Sequence, residues 1–350
     1  MTNRFLRLLE EKPVLLADGA TGTNLFALGL VSGDSPEIWN TEHPDRVAQH
    51  YRSFIDAGSD IVLTNTFGGS SYRLKLHDAQ DRVMELNKAA AEILNEQVND
   101  SGRDVVVAGS MGPTGEILQP AGMVSIDDAA AAFAEQALAL EAGGADVLWI
   151  ETLSSVEEAQ AAVIGASETD LPVVLTMSID TNGRTMMGVT AADMVGMQDS
   201  LATPLTAYGT NCGLGAAEVI AGIINMQTAA NQAGRNDIFI AKGNCGIPEW
   251  NGGEISYSGT PELMAGYVGI AIDAGARIVG GCCGTTPEHV AAMRAAMDTH
   301  TKGDSPTLEL IEASLGEVTA GAKAQMRGDQ SVAGGSVSGK SSAGRRRRRG

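Results

Sequence analysis

Cysteine is scarce in this 350-residue chain, with four in all, and two of those adjacent. So few thiols, so placed, make no disulfide framework, and they suit a reducing compartment. Aromatic residues are only 4% of the chain. No apolar run approaches the ~18 residues a membrane span needs. Charges break the short apolar run of the N-terminus, Met1 to Lys12, which excludes a signal peptide. Positive charge is also in short supply. The net charge of -19 argues against nucleic-acid binding by the folded part. A cytoplasmic protein with no membrane partner, and with no nucleic acid expected on its folded part, is the class these absences leave.

The few basic residues are unevenly placed. Lys340 and Arg345 to Arg349 put six positive charges in the last eleven residues, so the remainder carries about -25. Gly328 to Gly344 is rich in Gly and Ser and reads as a flexible linker. The Arg run is either a solvated tail or a docking tail for an acidic partner or RNA.

With 43% hydrophobic residues the chain can bury a full core. Short apolar runs recur and end in polar residues or glycine: 13–18, 60–67, 104–110, 146–152, 172–178, 205–212, 237–244 and 277–283. Helical patterns at 44–58, 80–99, 126–142, 154–167, 190–202, 215–233, 260–274 and 287–297 alternate with them. Eight strand–helix units of continuous apolar strands predict a (β/α)8 TIM barrel over residues 1–300, with a doubly wound open sheet as the main alternative. Residues 301–327 read as a C-terminal extension and 328–350 as the tail.

Asp18, Asn65, Thr66, Ser110, Glu151, Asn211, Cys212, Asn244, Cys282 and Cys283 all fall at C-terminal strand ends. In a barrel that is one rim, where active sites sit. Cys282 and Cys283 pair poorly with each other. As thiolates they suit a soft metal, zinc first. Cys212 lies two strands away, and a third thiolate leaves one zinc position open, as in a catalytic site. Buried structural thiols are the plainer alternative. The Gly19-Ala-Thr-Gly-Thr23 turn lacks dinucleotide-loop spacing. A barrel aldolase is disfavoured by the lack of a Schiff-base lysine at a clear strand end, and a non-catalytic zinc protein by the full set of polar strand ends.

Asp18-Gly-Ala-Thr-Gly-Thr23, Thr64-Asn-Thr-Phe67, Gly112-Pro-Thr-Gly115, Glu151-Thr152, Asn211-Cys-Gly213 and Gly280-Gly-Cys-Cys-Gly-Thr-Thr-Pro287 together resemble the homocysteine S-methyltransferase family. The resemblance covers residues 13 to about 298. It implies a (β/α)8 barrel with zinc on Cys212, Cys282 and Cys283, and methyl transfer to a zinc-bound homocysteine thiolate to give methionine. It further assigns the substrate ammonium to Asp18 and Glu151, and its carboxylate to backbone amides at Gly19, Ala20 and Thr21. Asn244 lies in Lys242-Gly-Asn-Cys-Gly246, where the family has Pro-Asn-Ala-Gly, so either Asn244 or Cys245 is expected nearest the metal without substrate. The barrel takes up almost the whole chain, which leads us to expect a methylcobalamin-bearing corrinoid protein as donor in trans. Glycine betaine, dimethylsulfoniopropionate and S-methylmethionine are the alternatives, with Trp39, Phe67, Tyr72 and Trp250 as aromatic candidates for a cationic donor.

Overall fold

The computed structural model describes residues 3–246, 248–251 and 254–331, apart from the side chains of 248–251 and 254–256. The Gly/Ser-rich and Arg-rich tail beyond 331 and the side chain of Trp250 lie outside the described residues. Eight parallel strands form one sheet: β1 Leu15–Leu16, β2 Ile61–Leu63, β3 Val106–Met111, β4 Val147–Leu153, β5 Val173–Met177, β6 Ala207–Cys212, β7 Phe239–Gly243 and, after a hairpin, β10 Ala276–Gly281. The hairpin strands are β8 Pro248–Asn251 and β9 Glu254–Tyr257. Neighbours run β1-β10-β7-β6-β5-β4-β3-β2. A parallel bridge between Ala17 and Ile61 joins the two ends and closes the (β/α)8 barrel.

Burial on both faces explains the continuous apolar strands. Leu15, Ala17, Ile61, Val106, Ala108, Val147, Trp149, Val174, Ile240 and Ile278 fill the barrel. Their alternates Leu16, Val62, Val107, Leu148, Leu175, Tyr208, Ala241 and Val279 pack under the surrounding helices. The helix Arg4–Glu11 plugs the bottom, where Phe5, Leu8 and Leu9 join the interior cluster. The charges that break this apolar run in the sequence sit on the outer side of an amphipathic helix.

The expected helices are present, several shortened or shifted by a few residues at their ends. The segment after β7 differs from expectation, because a two-stranded hairpin precedes the helix Pro261–Asp273. The stretch 301–327 also carries two helices, Leu308–Leu315 and Ala320–Met326, which pack on the barrel helix Ala216–Gln232.

Candidate active site

The period of two along each strand sets which polar side chains enter the barrel. Two residues beyond inward-facing Ala108, Trp149 and Ile240 stand Ser110, Glu151 and Lys242. These three line a cavity of 520 Å³ at the C-terminal mouth, together with Gly19 to Thr23, Thr152 and the three cysteines 212, 282 and 283.

The Sγ atoms of Cys212, Cys282 and Cys283 all lie within 4.8 Å of one another, and Cys212 Sγ is 3.8 Å from Cys283 Sγ. Tetrahedral sites with Zn–S bonds of ~2.3 Å have sulfur–sulfur edges of about 3.8 Å, so the donor set fits zinc in both chemistry and spacing. Hydrogen bonds from Cys212 and Cys282 push the Cys283 thiol well below the usual thiol range. Hydrogen bonding to Cys282 and Cys283 raises Cys212.

Backbone strain aims the ligands. Cys212 has φ 58° and Thr152 φ 66°, and both are non-glycine residues in the left-handed region. Asn211 Nδ2 donates to Thr152 Oγ1 at 2.8 Å and lies 3.8 Å from Cys282 Sγ. Gly213, next to Cys212, has φ 64°, and a Cβ there would sit 2.4 Å from the Ile179 carbonyl oxygen. Gly284, next to Cys283, has φ 77°, and its open side faces the Tyr257 ring, where a Cβ would fall 2.4 Å from Cγ. Tyr257, at the end of the hairpin, hydrogen-bonds the Cys283 sulfur.

Asn244 bridges the two ligand loops. Its Nδ2 donates to Gly213 O at 2.9 Å, and its Oδ1 accepts from Cys283 N at 3.1 Å. It does not line the cavity. Cys245 is buried outside the cluster of three, and its N–H donates to Cys283 O at 2.9 Å. Burial pushes its thiol up to about 11. Gly243, where the family pattern has proline, donates its N–H to Tyr267 Oη at 3.0 Å, a bond proline cannot make.

Glu151 is buried and accepts from Ser110 Oγ at 2.6 Å. Burial raises its pKa to about 7 against the opposing pull of Lys242. Asp18 is buried behind the cavity wall. Its Oδ1 is 2.9 Å from Lys242 Nζ, and its Oδ2 accepts from Leu63 N at 2.8 Å. The Ala20 N–H already donates to Thr285 O at 3.1 Å, while Gly19, Ala20 and Thr21 border the cavity.

Lys242 is the residue sequence reasoning passed over. The expectation that no lysine stands at a strand end fails here, since Lys242 lies in β7 and lines the cavity. The signal was available, as a lysine two residues after Ile240 in a strand must share its inward face. Its ammonium is 5.4 Å from the centre of the Trp149 ring. Burial lowers its pKa, but Asp18, Glu151 and Cys282 more than offset that, and the net shift is upward. A lysine so held stays protonated and is a poor Schiff-base nucleophile. Trp39 is packed edge-on to His43 at 5.0 Å under Arg46 and does not reach the cavity. Among the described residues Phe26 and Phe67 are the aromatic side chains at the mouth.

A barrel with a three-thiol cluster and an acidic group at its C-terminal mouth carries a soft-metal donor set where barrel enzymes keep their active sites. A family profile described as homocysteine S-methyltransferase matches residues 15–297, and the chain belongs to that family. It is 30% identical over 300 residues to methionine synthase of Mycobacterium tuberculosis, covering 81% of this chain and 24% of that protein. The Mycobacterium leprae methionine synthase is 29% identical over 309 residues, covering 84% and 25%. The chain thus spans about a quarter of the length of these relatives. In fold it is similar to the metallated homocysteine methyltransferase MmuM of Escherichia coli, with TM-score 0.67, 22% identity, and coverage of 84% of this chain and 99% of that one. A methyltransferase from Methanosarcina mazei shares the fold at TM-score 0.53 and 16% identity, with 84% and 97% covered. No helix among the described residues is long and apolar enough to cross a membrane.

Proposed function

We propose that the chain is a zinc-dependent homocysteine S-methyltransferase that forms methionine, with a methylcobalamin-bearing protein as donor in trans. The observation that carries this reading is the cluster of Cys212, Cys282 and Cys283 in the wall of the cavity that also holds Glu151. Zinc held by the three sulfurs would act as a Lewis acid that keeps an incoming thiol deprotonated near neutral pH. Asn211 and Tyr257 hydrogen-bond the sulfurs, and Asn244 orients the ligand loops through their backbone. Glu151, ionised, attracts the substrate ammonium and fixes the thiol end toward the cysteines. The substrate sulfur forms a bond to the methyl carbon as the donor's bond to that carbon breaks, and the donor leaves with the electron pair. Among the described residues Phe26 and Phe67 at the mouth supply apolar surface rather than a closed aromatic cage, which supports the corrinoid donor over a cationic one, and the matched relatives are named methionine synthases, which supports the product.

The test is metal analysis of the purified chain, followed by homocysteine-dependent methionine formation with methylcobalamin on a carrier protein, glycine betaine, dimethylsulfoniopropionate and S-methylmethionine. We expect one zinc per chain and turnover with the corrinoid donor, and Cys212→Ala should lose zinc and activity while staying folded. A Cys212→Ala protein with full zinc content would remove the metal assignment. Turnover with a small donor alone would reassign the donor.

A further inference from the structure

We propose that Lys242 reads the substrate's carboxylate and so restricts the site to thiols with an acidic head group. The inference rests on the homocysteine reading above and extends it to a residue outside the matched motifs.

The argument begins with charge. The cavity wall carries Glu151 and the three-cysteine cluster. A carboxylate entering beside a thiol would meet like charge from both, so it needs a cation close by. Lys242 is the buried cation lining the cavity among the described residues. Arg73 is half-buried and His77 exposed, both in the short helical turns after β2, Ser71–Leu74 and Lys75–His77. The family resemblance offers backbone amides of Gly19, Ala20 and Thr21 for the carboxylate, yet the Ala20 N–H is already bound to Thr285. That cradle is short of a donor, and Lys242 supplies both the donor and the charge.

The geometry suits the role. An ammonium has three N–H donors. Asp18 accepts one at 2.9 Å, and among the described residues it is Lys242's one hydrogen-bond partner. Asp18, held by Leu63 N on its other oxygen, anchors the ammonium from behind. The Trp149 ring at 5.4 Å flanks it. A lysine normally loses much side-chain freedom on binding, whereas this one is fixed in advance, so its contact with a carboxylate comes with little further ordering. Glu151 then takes the ammonium of the same substrate, and the two charged groups of an amino acid meet two opposite charges in one wall.

The test uses the full zinc-loaded chain and three thiols, with calorimetric binding and zinc content as readouts. The thiols are homocysteine, its deaminated analogue mercaptobutyrate and its decarboxylated analogue aminopropanethiol. Lys242→Met should weaken homocysteine and mercaptobutyrate about ten- to hundredfold and leave aminopropanethiol and zinc content unchanged. Because the single change leaves Asp18 buried without its partner, the charge-free pair Asp18→Asn with Lys242→Met is measured beside it, and the same loss of carboxylate preference is expected. Asp18→Asn alone, which keeps the lysine, should keep the preference.

Equal weakening of all three thiols in the Lys242 variants would reduce the lysine to a structural part and overturn the proposal. Loss of the preference in Arg73→Met, with its retention in Lys242→Met, would place the carboxylate at the mouth and also overturn it. Homocysteine binding with an unaltered preference in Lys242→Met sinks this inference alone. Failure of homocysteine to bind the unaltered chain sinks it together with the functional reading beneath it.

Discussion

Glu151 is a carboxyl group held neutral over much of the acidic range by burial, with a pKa of about 7 against the usual 4.5. The sign of its effect on stability follows directly. The folded chain binds this proton more tightly than the unfolded chain, so between about 4.5 and 7 stability falls as pH rises. Substrate binding runs the other way, because an ammonium is attracted to the ionised form. Homocysteine affinity should therefore climb through pH 7 more steeply in the unaltered chain than in Glu151→Gln. Above pH 7 the substitution should weaken homocysteine about ten- to hundredfold, the worth of one charge-assisted hydrogen bond, with zinc content unchanged. Parallel pH profiles by calorimetry would take Glu151 out of the substrate's reach. The three cysteines and Glu151 were legible in the sequence, since adjacent thiols and a lone acid at the end of an apolar strand have few other uses. Lys242 was not. A lysine near a strand end reads as the point where the chain returns to water, and the partner that lets it stay buried, Asp18, is 224 residues away.

Among the elements, the last residue of β6 and the loop after β10 carry the sulfurs, and the loop after β7 ties them together through Asn244. The sequence placed Asn244 at the rim but could not show whether its amide faces substrate or protein. The close approach of the Gly213 carbonyl and the Cys283 amide, from strands on either side of β7, decides that. Asn244→Ala removes both hydrogen bonds and lets the ligand loops drift apart. Outer-shell losses of this kind cost about 10–100-fold in metal affinity. We expect that loss in a chelator competition, with little change in thermal unfolding. Unaltered affinity would mean that the loops hold themselves, through contacts such as Cys282 N to Gly243 O at 2.8 Å. The pair β8–β9 was the element least legible, for its strands pair only with each other and lie outside the barrel's period. It brings Tyr257 to Cys283, a contact no strand count foretells.

For the whole molecule, the barrel's eight-fold repeat was readable because every strand is covered on both faces, and uniform burial leaves a uniform apolar signal. The two ends were harder. The helix Arg4–Glu11 and the segment 301–327 carry mixed polarity, since each covers an existing surface with one face only. Yet both belong to the body. Ile311, Val318, Ala322 and Ala324 are buried, Glu218 accepts from Thr319 Oγ1 at 2.6 Å, and Gln325 Nε2 donates to Gly183 O at 2.8 Å. Truncation at the two boundaries should then give opposite results. Ending the chain after residue 331 removes all six positive charges of the tail and no described packing. Metal content and unfolding temperature should stay the same. If the acidic body, at about -25, meets an acidic donor protein, the tail raises their association rate, and its removal slows transfer from that protein at low salt. The difference should fade toward ~0.15 M salt, where screening acts within about 8 Å. Ending the chain after residue 300 exposes the surface beneath Ile311 and Val318, which at about 1.5–3 kcal/mol for each buried side chain costs about 3–6 kcal/mol. Thermal unfolding of the two truncated chains beside the full one measures this directly. Equal unfolding temperatures would make residues 301–327 an appendage to the barrel, and a loss of stability on removing only the tail would give those last residues a structural share.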